Sequence, residues 1–298
     1  YLNYPTLFNY LKKDFKGQVI WTMHDCWAFT GHCAYYTYVQ CNKWKTHCKK
    51  CPQKKEYPTS FFFDQSYKNF ENKKKSFLGL DNLHIITPSE WLAEELRSSF
   101  MKNYPISVIN NGIDKKIFRS RNSNFRKIYD LTNKYLILGV ANIWDERKGL
   151  KYFKELSYSI DEETMIVIVG KTFEKLDKFK NILHIQQTSN QLELAEIYSS
   201  SDVFLNPTLE DNFPTTNLES LSCKTPVITF DIGGSSEMLD ENLNVVLNSK
   251  SGMKEILEAI SKIKLITKLN NKIDLSSNVL SIQDFSKMYT SKYSAVIQ

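Results

Sequence analysis

Between residues 135 and 263 the chain alternates short apolar runs with amphipathic ones, and this beat constrains the fold more than any other feature. Tyr135–Val140, Met165–Gly170, Ile182–Gln186, Asp202–Asn206 and Thr225–Phe230 read as strands, each brief and rich in β-branched or aromatic residues. Gly149–Ser159 and Gln191–Ser200 read as helices, as does the stripe Met253, Ile256, Leu257, Ile260 and Ile263. Apolar strands that alternate with helices imply a parallel sheet covered on both faces, so an α/β, Rossmann-like domain is expected here. Ligands of such sheets sit beyond the carboxyl ends of the strands.

Two segments at those ends carry chemistry. Asp211–Pro226 places Asp211 eight residues before Glu219. Pro214 suits the first position of a helix and Asn212 can cap it, which sets Glu219 about a turn and a half inside, on the face of Thr215. A strand therefore delivers an acidic loop and a helix N-terminus to one sheet edge, an anion site with a carboxylate on either side. An amphipathic helix with a solvated acidic start has the same composition. The second segment, Ile143–Gly149, sets Arg147 and Lys148 at a helix start, where the macrodipole disfavours cations unless an anion is bound. Lys148 and Glu219 are expected to share one hollow.

These residues resemble the Glu-x7-Glu signature and Lys-Gly pair of the GT4 retaining glycosyltransferases. The resemblance implies the GT-B fold, two Rossmann-like domains facing a cleft. It implies that Glu219 binds ribose hydroxyls of a nucleoside-diphosphate sugar. Asp211, a methylene shorter than the family's Glu, or its neighbour Glu210, would lie against the donor sugar. Asn212, Phe213, Thr215 and Thr216 would frame the helix start that takes the diphosphate together with Lys148, and Arg147 would stand in for an upstream Arg. Gly233 and Gly234 would let backbone approach the donor, beside Glu237. His24, at the end of the strand Val19–Met23, matches an N-domain His that faces the donor sugar.

The implied domains are an acceptor-side domain over 1–115, a nucleotide-sugar domain over 116–280, and a segment over 281–298 that crosses back. The family opens with a strand and a Gly-rich loop that this sequence lacks, so the first domain is read as incomplete at its N-terminus by roughly 70–100 residues. The implied activity is transfer of a sugar to a glycan or lipid-linked acceptor in surface polysaccharide synthesis. Catalysis would need no cofactor and would take place in the cytoplasm, peripheral to the membrane. The alternatives are a GT-B sugar-nucleotide epimerase and a non-catalytic, zinc-stabilised interaction module.

Six cysteines occur, and Cys33, Cys41, Cys48 and Cys51 are spaced x7, x6 and x2 within an insert over 30–58. Cys48-x-x-Cys51 is a zinc-ribbon-like half site that the other pair can complete, with His32 and His47 as substitutes. A structural zinc, free thiols and disulfides all fit this spacing. With Trp27–Gly31, the insert resembles GT4 enzymes of exopolysaccharide and capsule assembly.

The formal charge of +6 is uneven. Residues 1–115 hold 16 Lys/Arg against 10 Asp/Glu, and the remainder is balanced at 23 against 23. The first domain is thus expected to meet an anionic partner. Lys73-Lys74-Lys75, flanked by Phe70 and Phe77, reads either as an interfacial helix on an anionic membrane or as a solvated face. No recognition-helix or RNA-binding signature accompanies the lysines, so nucleic acid is not expected. No apolar run reaches the ~18 residues of a membrane span.

Overall fold

The computed structural model describes residues 2–55, 59–60, 62–269 and 275–297; the last residues of the expected insert, 56–58, lie outside them. The chain forms two units, Tyr1–Asn111 with Phe285–Gln298, and Gly112–Asp284.

In the first unit, α1 (Tyr4–Lys13), β1 (Val19–Thr22), α2 (Ser66–Phe77), β2 (Leu83–Thr87), α3 (Glu90–Arg97) and β3 (Ile106–Val108) follow in order. The three strands pair in parallel as β1-β2-β3. Ser89 starts α3 by accepting the Leu92 N–H at 3.1 Å, an N-cap that fixes where the chain turns after β2. Phe8, Trp44, Phe70, Phe77, Leu83 and Ile85 share one core.

The interfacial reading of α2 is corrected by this core. Ser66, Phe70, Lys73 and Phe77 fall on one helix face, and all four are buried. Lys73 is only 2% exposed. Its ammonium donates to the carbonyls of Trp27 (2.5 Å) and Thr30 (3.0 Å) and lies 3.6 Å from the Trp27 ring centroid. The apolar face that was to meet a membrane is already covered. Among the described residues, no helix is long and apolar enough to cross one.

The second unit runs β4 (Gly112–Ile113), α4 (Phe125–Ile128), β5 (Tyr135–Ile143), α5 (Leu150–Leu156), β6 (Thr164–Lys171), β7 (Ile182–Ile185), α6 (Gln191–Ser200), β8 (Val203–Asn206), α7 (Thr215–Ser222), β9 (Val227–Phe230), β10 (Val245–Leu247), α8 (Met253–Leu269), β11 (Leu280–Ser281) and the start of α9 (Ile282–Ile297). Six of these strands form a parallel sheet in the order β10-β9-β8-β5-β6-β7.

Period-two alternation along the strands feeds two separate cores. Leu136, Leu138, Val167, Val169 and Phe204 point to one face, against Tyr198 of α6 and Leu218 and Leu221 of α7. Ile137, Ile166, Ile168, Leu205 and Ile228 point to the other, against Phe153 of α5 and Ile256, Ile260 and Ile263 of α8. At about 1.5–3 kcal/mol per buried large apolar side chain, both faces must be covered for the sheet to stand. Beside the sheet, β4 and β11 pair in parallel where the chain enters and leaves the unit. From Phe285 onward α9 belongs to the first unit, where Tyr289 hydrogen-bonds to Thr22.

Candidate functional site

Counted from β5, the sheet order is that of a doubly wound dinucleotide fold, and its direction reverses between β5 and β8. The loops that leave these two neighbouring strands open the crevice in which such folds bind ligands. Trp144, the first residue after β5, is buried and its indole N–H donates to the Val169 carbonyl at 2.9 Å, which anchors that loop to β6. Asp145 then accepts from the Arg147 guanidinium at 2.9 and 3.2 Å and from the Lys148 backbone N–H at 2.9 Å. A backbone bond of 2.7 Å from Leu209 N–H to the Arg147 carbonyl ties this loop to the one after β8.

Two ion pairs cross between the loops. Arg147 meets Glu210 at 3.2 Å, and Lys148 meets Asp211 at 2.8 Å. Their exposures differ in a way that separates the two acids. The Glu210 side chain is 2% exposed, whereas that of Asp211 is 18% exposed. Glu210 is thus an internal counter-ion for Arg147, while Asp211 keeps partial access to solvent.

The helix beyond begins one residue later than expected: Pro214 is the N-cap, and its side chain satisfies no backbone donor of α7. The first-turn N–H groups at Thr215 and Thr216 have no partner within their own helix, as at any helix start. Asn212 is buried and does not serve as the cap; its carbonyl accepts from Gly234 N–H at 2.7 Å. Phe213 is a core residue, packed with Leu218 and Met238. Gly233 takes φ +58°, and a Cβ there would lie 1.9 Å from the Asp211 carbonyl oxygen. The two glycines therefore clamp the acid loop itself. Asn217 fixes the start of α7 from below, accepting from Asn206 at 2.8 Å and donating to the Ser235 carbonyl at 3.0 Å. Glu237 is exposed in the following turn.

Glu219 and Thr216 line a cavity of about 340 Å³ at the carboxyl ends of β5, β6 and β7. Its other walls are Val140 to Asn142, Val169 to Lys171, Gln186 to Thr188 and Leu194. Burial pushes the Glu219 carboxyl up to about 7, opposed by a hydrogen bond from the Tyr198 hydroxyl at 3.2 Å. Lys148 is not among the lining residues. Lys148 lies instead in the crevice where it pairs with Asp211. Asn142, Lys171 and Gln186 to Thr188 escaped sequence reasoning, although each follows or ends a strand that had been identified. That position is the available signal.

In the first unit, His24 is exposed just past β1. Cys33, Cys41, Cys48 and Cys51 line one small void. None of the six cysteines, all of them described, is in a disulfide.

Residues 134–264 match the family described as glycosyl transferases group 1. The chain is 27% identical over 239 residues to the putative colanic acid biosynthesis glycosyl transferase WcaC of Escherichia coli (strain K12), covering 77% of this chain and 56% of that one. It is 25% identical over 219 residues to the N,N'-diacetylbacillosaminyl-diphospho-undecaprenol alpha-1,3-N-acetylgalactosaminyltransferase of Campylobacter jejuni, covering 68% and 58%. The chain thus spans little more than half the length of these curated relatives. Among solved structures, Anabaena Alr3699/HepE in complex with UDP superimposes with a TM-score of 0.66 at 11% identity, over 93% of this chain and 72% of that one. Over residues 134–264 the chain is thus similar to the group 1 glycosyl transferases, and its fold is like that of solved GT-B glycosyltransferases.

Proposed function

We propose that the protein is a retaining glycosyltransferase that moves a sugar from a nucleoside-diphosphate donor to a glycan or lipid-linked acceptor in surface polysaccharide synthesis. The observation that carries this reading is the arrangement at the sheet's switch point. Two cations and a helix start lie on one side of α7's first turn, and a nucleoside-sized cavity holding Glu219 lies on the other. A base and ribose fit the cavity, with Glu219 accepting from the ribose hydroxyls. The diphosphate then meets the N–H groups of Thr215 and Thr216 and the ammonium of Lys148, with Arg147 behind it. Asp211 remains on the donor sugar's side.

In the reaction the bond from the sugar's anomeric carbon to the diphosphate oxygen breaks, and the acceptor oxygen bonds to the same face. The acceptor's proton passes to the departing diphosphate. The cations and helix start stabilise the charge that builds on that leaving group. His24 is assigned to the donor sugar by family resemblance. The Campylobacter relative's name specifies a diphospho-undecaprenol-linked acceptor, and the UDP complex of the Anabaena protein supports a nucleotide donor. A lipid-linked acceptor would draw the basic first unit to the inner face of the membrane, where anionic lipid complements its charge.

The test is transfer of labelled sugar from UDP- and GDP-sugars to undecaprenyl-diphosphate-linked acceptors. The reading predicts an elongated lipid-linked product and free nucleoside diphosphate. Nucleotide and epimerised sugar released equally well without acceptor would overturn it.

A further inference from the structure

We propose that Cys33, Cys41, Cys48 and Cys51 hold one zinc ion in a tetrahedral, structural site. The four sulfurs come from a stretch with little regular structure, a single helical turn at Lys43–Lys45, yet they meet around one void of about 10 Å³. That is room for a single atom the size of a water oxygen. The thiols of Cys33 and Cys51 share a hydrogen bond, and Cys41 and Cys48 lie within electrostatic reach of Cys33. As the thiols stand, no three His, Cys, Asp or Glu side chains among the described residues meet the geometry of a formed metal site. The ion would draw the sulfurs inward over that small void.

Three features beyond the spacing point to anionic sulfur. Gly31 donates its N–H to Cys48 Sγ at 3.2 Å. A Cβ on Gly31 would lie 2.6 Å from Cys48 Cβ and 2.2 Å from the Ser66 carbonyl oxygen, so only glycine brings this donor so near. Trp44 also lines the void; it is 1% exposed, and its indole N–H has no acceptor among the described residues. The third is the buried amine of Lys73: burial lowers it to about 7, and Cys33, Asp25 and Cys48 act against that burial. Four thiolates on Zn²⁺ carry a net charge of −2, which these donors and the protonated amine offset. Two disulfides would leave the indole N–H facing neutral sulfur. Gln40 and Lys50, which immediately precede Cys41 and Cys51, both take left-handed backbone at φ +50°, so both turns are held in a conformation that ordinary residues avoid.

Binding is a proton exchange without redox change: four thiols release four protons as four Zn–S bonds form. Tetrahedral S₄ sites of this kind select zinc or iron–sulfur, and a closed shell leaves no position for catalysis.

The experiment is metal analysis of the purified protein grown in zinc-supplemented medium, joined to intact mass and thiol counting. One zinc per chain is expected, with four thiols released to a thiol reagent when the metal is displaced. Cobalt exchanged into the protein should show the sulfur-to-metal absorption of a tetrahedral thiolate site. Cys41→Ser and Cys51→Ser should each lower zinc affinity by more than about tenfold, while Cys26→Ser and Cys223→Ser retain the metal. Since a ligand variant can unfold the first unit, the cobalt spectrum of the unaltered protein decides. Absence of zinc, mass lost to disulfides, iron in its place, or zinc retained by Cys41→Ser and Cys51→Ser alike would each overturn the proposal. Zinc content is read without nucleotide, so its failure leaves the donor-site reading standing.

Discussion

Replacing Glu219 by Gln sets stability and binding in opposition. Burial raises the carboxyl from 4.5 to about 7, so the folded protein holds this proton more tightly than the unfolded chain does. Stability from this source is complete below 4.5 and is lost as pH rises through about 7. Ionised and buried, the carboxylate costs up to about 3 kcal/mol, and the cavity's openness to water brings a working range of about 1–3 kcal/mol. Gln keeps the shape and still accepts from Tyr198, but removes the charge. At pH 8, Glu219→Gln should therefore raise the melting temperature by roughly 2–8 °C, and the gain should shrink as pH falls toward 4.5. Nucleoside-diphosphate binding should weaken over the same pH range, because a charge-assisted bond to ribose is worth about 1.5–3 kcal/mol, or roughly tenfold and upward in Kd. Calorimetric melting at several pH values and titration with UDP and GDP read the two arms. A variant less stable than the parent at pH 8, or one with unchanged nucleotide affinity, would refute the reasoning.

Further expectations concern the neighbouring elements. Lys148→Ala should weaken nucleoside-diphosphate binding by about 1.5–3 kcal/mol, more at low salt than at high salt, as titration at two ionic strengths would show. Lys73→Ala leaves the carbonyls of Trp27 and Thr30 without their buried donor. It should cost about 2–4 kcal/mol in denaturant unfolding with nucleotide affinity unchanged. Gly233→Ala forces a Cβ against the Asp211 carbonyl and should destabilise the second unit by more than about 1 kcal/mol while loosening the acid loop, measured by melting and by nucleotide titration.

Much of the second unit was legible because strands buried on both faces write themselves as apolar runs. Leu136 to Leu138 and Ile166 to Val169 leave no ambiguity about a covered sheet. The switch-point position of Arg147, Lys148, Glu210 and Asp211 followed from their places after two of those runs. Their pairing did not, since sequence spacing cannot say which carboxylate turns inward, and burial of Glu210 decides it. Phe213 looked like a ligand contact because it sits inside the motif, yet its ring completes the core beneath α7. Lys73 was misread for the opposite reason. Three consecutive lysines suggest a solvated face, but only the one in register with Phe70 and Phe77 is carried inside. Its cost is met by carbonyls and an indole ring from a distant loop, which local pattern does not reveal.

A crystal structure with bound UDP or GDP tests the central claim most directly. The account predicts the ribose hydroxyls within hydrogen-bond distance of Glu219, the diphosphate at the first turn of α7, and the Lys148 ammonium on a phosphate oxygen. Nucleotide bound elsewhere on the second unit, with Glu219 and the start of α7 untouched, would contradict it.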